Sequence, residues 1–147
     1  MTILFVCTGN TCRSPMAEAL MKDAAQRRGL DISVSSAGIS AYEGAPVSAN
    51  ARKALKNMGL RPASGRARNA DKPMIDGAGL VLAMTAAHRD ALHAEYPESA
   101  GKIFTIGEYA GDMADVPDPF GKGLAAYEKC RDDLERKIDR AIEKLYI

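Results

Sequence analysis

Short apolar runs alternate with helical patterns along the chain. Residues 3–6 (ILFV) and residues 80–84 (LVLAM) are continuous apolar runs, which are typical of strands covered on both faces. Residues 32–35 alternate between apolar and polar with period two, and residues 102–106 form a fourth short run. We predict a strand at each place. Strands that alternate with helical segments indicate βαβ units and a parallel sheet.

Four segments carry helical periodicity or helix-end signals. The four predicted helices run from Ser14 to Gly29, from Ser48 to Gly59, from Ala86 to Glu95 and from Leu124 onward. Ser14 and Ser48 are the predicted N-caps, with Pro15 at the first position of the first helix. Residues 61–73 and residues 111–123 are rich in proline and turn residues, so we predict mostly loop there.

This order of elements predicts the fold class. We expect one α/β domain over residues 1–147, with three layers (α/β/α) and a four-stranded parallel sheet of Rossmann-like topology. In such an open sheet, ligands bind at the carboxyl ends of the strands. Three loops therefore qualify as functional, and they begin at Cys7, Ser36 and Gly107.

Composition excludes several classes of function. The 147 residues contain 20 Lys and Arg against 19 Asp and Glu, so the basic excess of a nucleic-acid binder is missing. No apolar run approaches a membrane span, and no signal peptide is evident. Three cysteines do not suggest a secreted disulfide scaffold. We expect a soluble, monomeric, cytoplasmic protein that binds neither nucleic acid nor membrane.

The loop after the first strand carries the clearest chemistry. In residues 7–14 (CTGNTCRS), Gly9 and Asn10 tolerate unusual backbone angles, so successive N–H groups can turn inward as an anion nest. A nest beside a helix N-terminus favours the thiolate of Cys7, which is the nucleophilic form. A curled loop returns Arg13 to the same centre, where its planar guanidinium can hold two phosphoryl oxygens. The C-x5-R spacing alone is unspecific; its position at a strand-to-helix turn makes it informative.

Several segments together resemble a known family. Residues 6–18 (VCTGNTCRSPMAE) resemble the phosphate-binding loop of the low-molecular-weight protein tyrosine phosphatases. Residues 35–38 (SSAG), 80–85 (LVLAMT) and 118–120 (DPF) resemble that family's segment after strand two, its third strand and its general-acid motif. Order and spacing agree over nearly the whole chain. Val6 stands where the larger tyrosine phosphatases carry His, so the resemblance is to the small family only.

The resemblance implies a hydrolase that acts on phosphorylated proteins and needs no metal or other cofactor. Cys7 attacks phosphorus and forms a phosphocysteine, Arg13 and the loop N–H groups hold the phosphoryl oxygens, and Asp118 protonates the leaving group and later activates water. The phosphate-binding residues that it implies are Thr8, Gly9, Asn10, Thr11, Cys12 and Ser14. Asn10 is expected to hold the shape of the loop, and Ser14 to hydrogen-bond the thiolate.

The remaining candidates rest on weaker patterns. Asp112 and Asp115 are rivals of Asp118 on sequence alone, since aspartate is also a common turn residue. Tyr42 and Phe120 lie on predicted active-site loops and are candidate walls of the pocket, in a chain whose aromatic fraction is only 5%.

The other cysteines and the histidines receive separate interpretations. In the resembling family, a cysteine placed like Cys12 forms a reversible disulfide with the nucleophile; a small buried side chain is an equal alternative. Cys130 falls on the apolar face of the last predicted helix and is interpreted as core. His88 and His93 are five residues apart, so they do not share a helical face, and we expect them to be solvated or locally structural.

Position 11 bears on the substrate. Most tyrosine phosphatases of the family carry a bulky aliphatic residue there, whereas the branch that dephosphorylates protein arginine carries Thr and an Asp-Pro-Phe acid motif. A guanidinium brings several N–H donors that must not stay unpaired in a pocket, and Thr11 and Asp118 can each accept one. We therefore favour phosphoarginine, with phosphotyrosine as the alternative.

Two further functions fit less well. Arsenate reductases share this fold and loop, but they need another cysteine pair, and no cysteine lies between Cys12 and Cys130. A phosphoprotein-binding module without turnover would not require Cys7, Arg13 and Asp118 together.

Overall fold

The computed structural model describes residues 1–63 and 65–146. Within them, the elements in chain order are β1 (Thr2–Cys7), α1 (Arg13–Arg27), β2 (Ser33–Gly38), α2 (Ala49–Lys56), α3 (Lys72–Gly77), β3 (Leu80–Ala83), α4 (Ala86–Glu95), a 3-10 helix (Pro97–Lys102), β4 (Ile103–Thr105), α5 (Ile106–Ala110) and α6 (Leu124–Tyr146). No helix of the described residues combines the length and hydrophobicity needed to cross a membrane.

The four strands form one parallel sheet in the order β2-β1-β3-β4, which confirms the predicted fold class. Cys7 pairs with Gly38 at the carboxyl end of β1, and Val6 pairs with Ala83 of β3. The chain passes to β2 on one side of β1 and to β3 on the other. A crevice therefore opens at the carboxyl end of β1, the place where open α/β sheets bind ligands.

Alternate residues of β1 feed two separate cores. Ile3 and Phe5 pack into the cluster that α1, α2 and α6 cover, whereas Leu4 and Val6 face the cluster that α3 and α4 cover. All four side chains are fully buried. Burying an aliphatic or aromatic side chain of this size stabilises the fold by about 1.5–3 kcal/mol. The continuous apolar run therefore reflects a strand enclosed on both faces, and it fixes the three-layer arrangement.

Several predicted helix ends are confirmed. Ser48 caps α2, since its side chain accepts a hydrogen bond from the Ala51 N–H at 3.1 Å. Gly29 follows the end of α1 with a φ of 66°, a left-handed conformation that favours glycine. The predicted bounds of α4 and the predicted start of α6 agree with the structure.

The prediction that Ser14 caps the first helix is wrong. Helix α1 begins at Arg13, two residues before Pro15, and its N-cap residue Cys12 makes no side-chain capping bond. Ser14 lies inside the first turn, and its hydroxyl lies 2.9 Å from Cys7 Sγ. The preceding loop curls back over the end of β1, so the hydroxyl serves that loop and not the helix end.

Two short helices, α3 and α5, are not evident in the apolar pattern. Asp71 begins α3 by accepting a hydrogen bond from the Met74 N–H at 2.9 Å. At the end of β4, Thr105 and Glu108 form a capping box that starts α5 at Ile106. The predicted strand over residues 102–106 is therefore one residue too long at each end: Lys102 ends the 3-10 helix, and the capping box starts a helix at Ile106.

Candidate active site

A cavity of about 210 Å³ opens where the loop after β1 meets the loop of residues 111–123. It is lined by Cys7, Thr8, Gly9, Thr11, Cys12, Arg13, Asp118 and Phe120. All of these residues are among the predicted site residues. The fold brings them together although their sequence positions are up to about 110 residues apart.

Cys7 ends β1 and is 3% exposed. Its Sγ lies 2.9 Å from the Ser14 hydroxyl oxygen. Asn10 Nδ2 donates to the same oxygen at 2.8 Å, which leaves the Ser14 proton for the sulfur or, at a longer 3.4 Å, for the Ala37 carbonyl. A hydroxyl that has accepted one hydrogen bond and still holds its proton is a suitable donor to a thiolate.

Asn10 fixes the shape of the loop. Its φ of 55° is left-handed, a conformation that asparagine tolerates better than other side chains. The side chain is buried and donates to Ser14 Oγ and, at 3.0 Å, to Ser36 Oγ. Its Oδ1 accepts the backbone N–H of Arg68 at 3.0 Å. One amide thus ties the loop to α1, to β2 and to the segment before α3.

Ser36 and a buried carboxylate continue this network away from the cavity. Ser36 Oγ donates to Glu18 Oε1 at 2.6 Å, and Lys22 Nζ pairs with Glu18 Oε2 at 2.9 Å. Glu18 is only 6% exposed, so these partners satisfy a carboxylate that would otherwise be costly to bury. The loop is therefore fixed by a chain of hydrogen bonds that reaches the second turn of α1.

Gly38 allows β2 to approach the loop closely. A Cβ at this position would lie 2.4 Å from the Thr8 carbonyl oxygen, well inside van der Waals contact. That carbonyl accepts the Ser40 N–H at 3.0 Å. The SSAG segment therefore supplies a hydroxyl to the network and a glycine that leaves room for the loop backbone.

Arg13 joins the two loops that bound the cavity. It is 5% exposed. Its Nη1 donates to the Val116 carbonyl at 3.1 Å, and its Nη2 lies 3.6 Å from Asp118 Oδ2. These contacts fix the planar guanidinium of a residue that lines the same cavity as Cys7, and such a group can bind two oxygens of one phosphoryl group.

Of the three aspartates that competed as general acid, Asp118 is the one that lines the cavity. Its side chain is 51% exposed, and Oδ1 accepts the Phe120 N–H at 3.0 Å. Asp115 instead accepts the Ala86 N–H at the start of α4, at 2.9 Å. Asp112 forms an ion pair with Lys137 at 2.6 Å. The rivals are engaged in holding the loop in place.

The structure separates the two aromatic candidates. Phe120 lines the cavity and is 73% exposed, so its ring is available to a bound molecule. Tyr42 is 84% exposed and does not line this cavity. The Ala45 N–H donates to the Tyr42 carbonyl in a turn completed by Gly44, whose φ is 81°. This turn holds Tyr42 on the surface, and its role as a pocket wall stays a prediction.

The three cysteines are free and buried, in different surroundings. Cys12 lines the cavity, and its Sγ lies 3.5 Å from the Tyr127 hydroxyl. Cys130 lies on the buried face of α6, where burial raises the pKa of its thiol to about 12. This environment confirms the prediction that Cys130 belongs to the core.

Sequence reasoning missed three supporting residues. Ser36 and Arg68 hold Asn10, and His88 lies 2.7 Å from the Thr8 hydroxyl although 80 residues separate them in the chain. Ser36 had two signals: it begins a loop predicted to be functional, and its segment resembles the family. His88 is buried and not solvated, and Arg68 contributes its backbone N–H. Both contacts depend on packing between distant elements.

The chain matches known proteins over nearly its full length. Residues 2–146 match the profile of the low molecular weight phosphotyrosine protein phosphatases. A protein-arginine-phosphatase of Geobacillus stearothermophilus is 46% identical, with 97% of this chain and 95% of that protein covered.

Solved structures agree with this match. The crystal structure of a YwlE mutant from Bacillus subtilis superposes with a TM-score of 0.96 at 38% identity, covering 100% of this chain and 99% of the other. A YwlE arginine phosphatase mutant with a phosphorylated active-site serine has a TM-score of 0.94 at 38% identity, with coverages of 99% and 95%. The chain therefore belongs to the low molecular weight phosphotyrosine protein phosphatase family, whose members are hydrolases.

Proposed function

We propose that this protein hydrolyses phosphoarginine in phosphorylated proteins through a phosphocysteine intermediate. The observation that carries the proposal is the position of Thr11, which lines the same cavity as Cys7, Arg13 and Asp118. The similarity to protein-arginine-phosphatases supports the same substrate.

In the first step, the Cys7 thiolate attacks phosphorus in line with the leaving group. The S–P bond forms while the bond from phosphorus to the guanidino nitrogen breaks, and Asp118 gives its proton to that nitrogen. Arg13 and the inward loop N–H groups hold the three equatorial oxygens. The Ser14 hydroxyl, 2.9 Å from the sulfur, stabilises the thiolate before attack.

In the second step, the Asp118 carboxylate takes a proton from water, and the water oxygen attacks phosphorus. The P–S bond breaks, inorganic phosphate forms, and the Cys7 thiolate returns. The exposure of Asp118 suits both steps, because the leaving group departs and water enters through the open side of the cavity.

Selectivity for arginine rests on hydrogen-bonding capacity. A phosphoguanidinium leaves several N–H groups in the cavity, and each needs an acceptor when water is displaced. Thr11 Oγ1 and the carbonyl oxygen of the protonated Asp118 carboxyl can supply two. A phosphotyrosine ring has no such donors and packs better against an aliphatic wall. The exposed ring of Phe120 suits a phenyl group and supports phosphotyrosine as the alternative substrate.

Substitutions at position 11 test this choice. Thr11→Val removes the hydroxyl at nearly constant volume, and Thr11→Ile adds the aliphatic bulk; Thr11→Ser keeps the hydroxyl as the matched control. We expect Val and Ile to lower the ratio of kcat/KM for a phosphoarginine peptide over a phosphotyrosine peptide about tenfold, whereas Ser changes it about twofold or less. A preference of the unsubstituted protein for phosphotyrosine contradicts the proposal. So does a kcat/KM ratio that is the same in Thr11→Val and Thr11→Ser.

Cys12 is proposed as a redox partner of the nucleophile. Peroxide would oxidise the Cys7 thiolate to a sulfenic acid, and attack by the Cys12 thiol would form a disulfide and release water. Both thiols line the cavity. Three free cysteines also suit a reducing compartment, which supports a cytoplasmic location.

A further inference from the structure

His88 is a buried titratable group that the mechanism does not use. It lies in the first turn of α4 and is 5% exposed. Its backbone N–H donates to the Thr85 side chain at 3.2 Å, which caps the helix and fixes the position of the ring. Its Nε2 lies 2.7 Å from Oγ1 of Thr8, the residue that follows the nucleophile.

The second ring nitrogen indicates which tautomer is present. His88 Nδ1 is buried and has no hydrogen-bond partner among the described residues. Buried N–H groups without an acceptor are rare in proteins, so a proton on Nδ1 would be unfavourable. The proton of a neutral ring therefore belongs on Nε2, from which it is donated to Thr8 Oγ1.

The charges around the ring favour its neutral form. Burial lowers the pKa of His88, and the positive charge of Arg13 lowers it further; the carboxylates of Asp115 and Asp118 oppose this change. An imidazolium would also place a proton on Nδ1, which has no acceptor among the described residues. At neutral pH the ring is thus an uncharged donor.

Thr8 is held from two sides. Its carbonyl accepts the Ser40 N–H beyond β2, and its hydroxyl contacts His88 at the start of α4. We propose that His88 is a positioning residue for the phosphatase reaction: as the Nε2–H tautomer, it donates to the Thr8 hydroxyl and fixes the first residue of the phosphate-binding loop after Cys7. The kinetic part of this inference rests on the proposed function of that loop.

The tautomer is tested directly in the unsubstituted protein. The chain contains only His88 and His93, so nitrogen-15 NMR of the two rings resolves both, and His93→Gln assigns them. We expect the Nε2–H tautomer for His88 at pH 7, with a signal that moves in Thr8→Val. The proposal is overturned if His88 is the Nδ1–H tautomer, if its ring is charged, or if its signal does not move in Thr8→Val. This holds whether or not the protein is active.

Kinetics with p-nitrophenyl phosphate test the consequence. Gln presents an amide N–H close to the position of Nε2, whereas Leu fills space without a donor. We expect His88→Leu to lower kcat/KM about tenfold, mainly through kcat, and His88→Gln to remain within about threefold of the unsubstituted protein. Equal losses in the two variants contradict positioning by a hydrogen bond.

A double substitution separates this contact from general destabilisation. Thr8→Val alone should lower kcat/KM as much as His88→Leu does. The double variant should have a kcat/KM within about twofold of either single variant, because both substitutions remove the same bond. His93→Gln, at the ring whose Nε2 contacts the Ile103 carbonyl at 2.9 Å, is the matched control with unchanged kcat/KM. If the fold-losses of the two single variants multiply in the double variant, the two residues are not coupled and the proposal is overturned. If the unsubstituted protein does not turn over p-nitrophenyl phosphate, the proposed function fails while the NMR test still decides the contact.

Discussion

The two loops that bound the cavity are built in opposite ways. In the loop after β1, Cys7, Asn10 and Arg13 are each at most 5% exposed, and hydrogen bonds from neighbouring elements fix them. In the loop of residues 111–123, Asp118 and Phe120 are mostly in solvent. A group that stabilises developing charge must be oriented in advance, whereas a group that exchanges protons with a leaving group and then with water must stay accessible.

The second loop is exposed along most of its length, but a few buried contacts anchor it. Its buried Val116 donates from its N–H to the Met84 carbonyl at 2.9 Å, and its carbonyl accepts Arg13. Gly107 permits a close approach, since a Cβ there would lie 2.4 Å from the Ala114 carbonyl oxygen. These contacts anchor the loop, while Asp118 and Phe120 stay accessible to solvent.

Removing the nucleophile should have the largest effect on activity. Cys7→Ser replaces the thiolate with a hydroxyl that is hardly ionised, so we expect kcat to fall on the order of 10⁴-fold or more. The buried hydrogen bonds of the loop are kept, so inorganic phosphate should still bind, which calorimetry can measure. Residual turnover within a hundredfold of the unsubstituted protein would exclude a covalent role for Cys7.

Removing the proposed acid should cost less, and the cost should depend on the substrate. Asp118→Asn cannot protonate a leaving group, so we expect kcat to fall about 10²- to 10³-fold with phenyl phosphate and clearly less with p-nitrophenyl phosphate, whose leaving group needs little protonation.

Asp115→Asn is the matched control for this experiment, since Asp115 lies in the same loop but contacts the Ala86 N–H. We expect the change in kcat to be about threefold or less. If kcat falls further in Asp115→Asn than in Asp118→Asn, the assignment of Asp118 as the general acid is wrong.

The anchoring ion pair of the second loop should affect stability more than chemistry. Partial burial alone would raise the pKa of Asp112, but hydrogen bonds from the Lys137 ammonium and the Ala114 N–H lower it to about 2. Lys137 is 1% exposed, so Asp112→Asn leaves a buried cation with weakened pairing. We expect a loss of about 2 kcal/mol in the free energy of unfolding at pH 7, measured with urea.

The pH dependence of this loss has a definite sign. The folded pKa lies below the ordinary value of 3.8, so the carboxylate stabilises the fold above about pH 4, and this contribution disappears as the pH falls through 2. The stability gap between the unsubstituted protein and Asp112→Asn should therefore close on acidification. Asp90→Asn, in an exposed pair with Arg89, is the control and should cost about 1 kcal/mol or less. A gap that stays constant between pH 5 and 2 would contradict the ion-pair explanation.

Local chemistry explains what the sequence predicted well. The apolar runs of β1 and β3, the cap at Ser48 and the glycine after α1 depend on neighbouring residues, and the structure agrees with them. The loop of residues 7–14 was predictable because its nest, cysteine and arginine lie within eight consecutive positions.

Where several residues competed, the sequence left the outcome open. Asp112, Asp115 and Asp118 fall in one loop with similar surroundings in the chain, and only packing shows which of them faces the cavity. Ser14 looks like a cap from its place before Pro15, and only the curl of the loop turns its hydroxyl to the sulfur. The sequence by itself thus determined the order of the four strands and the four longer helices, the class of sheet and the loop that carries the nucleophile.

The tertiary structure decided how that loop is supported and which distant groups complete the site. His88 reaches Thr8 across 80 residues, and Asn10 reaches Ser36 across 26. No spacing in a chain encodes such contacts, because they form only when separate helices and strands pack on one sheet. Hydrogen bonds act over about 3 Å, so the fold and not the order of residues determines which groups meet.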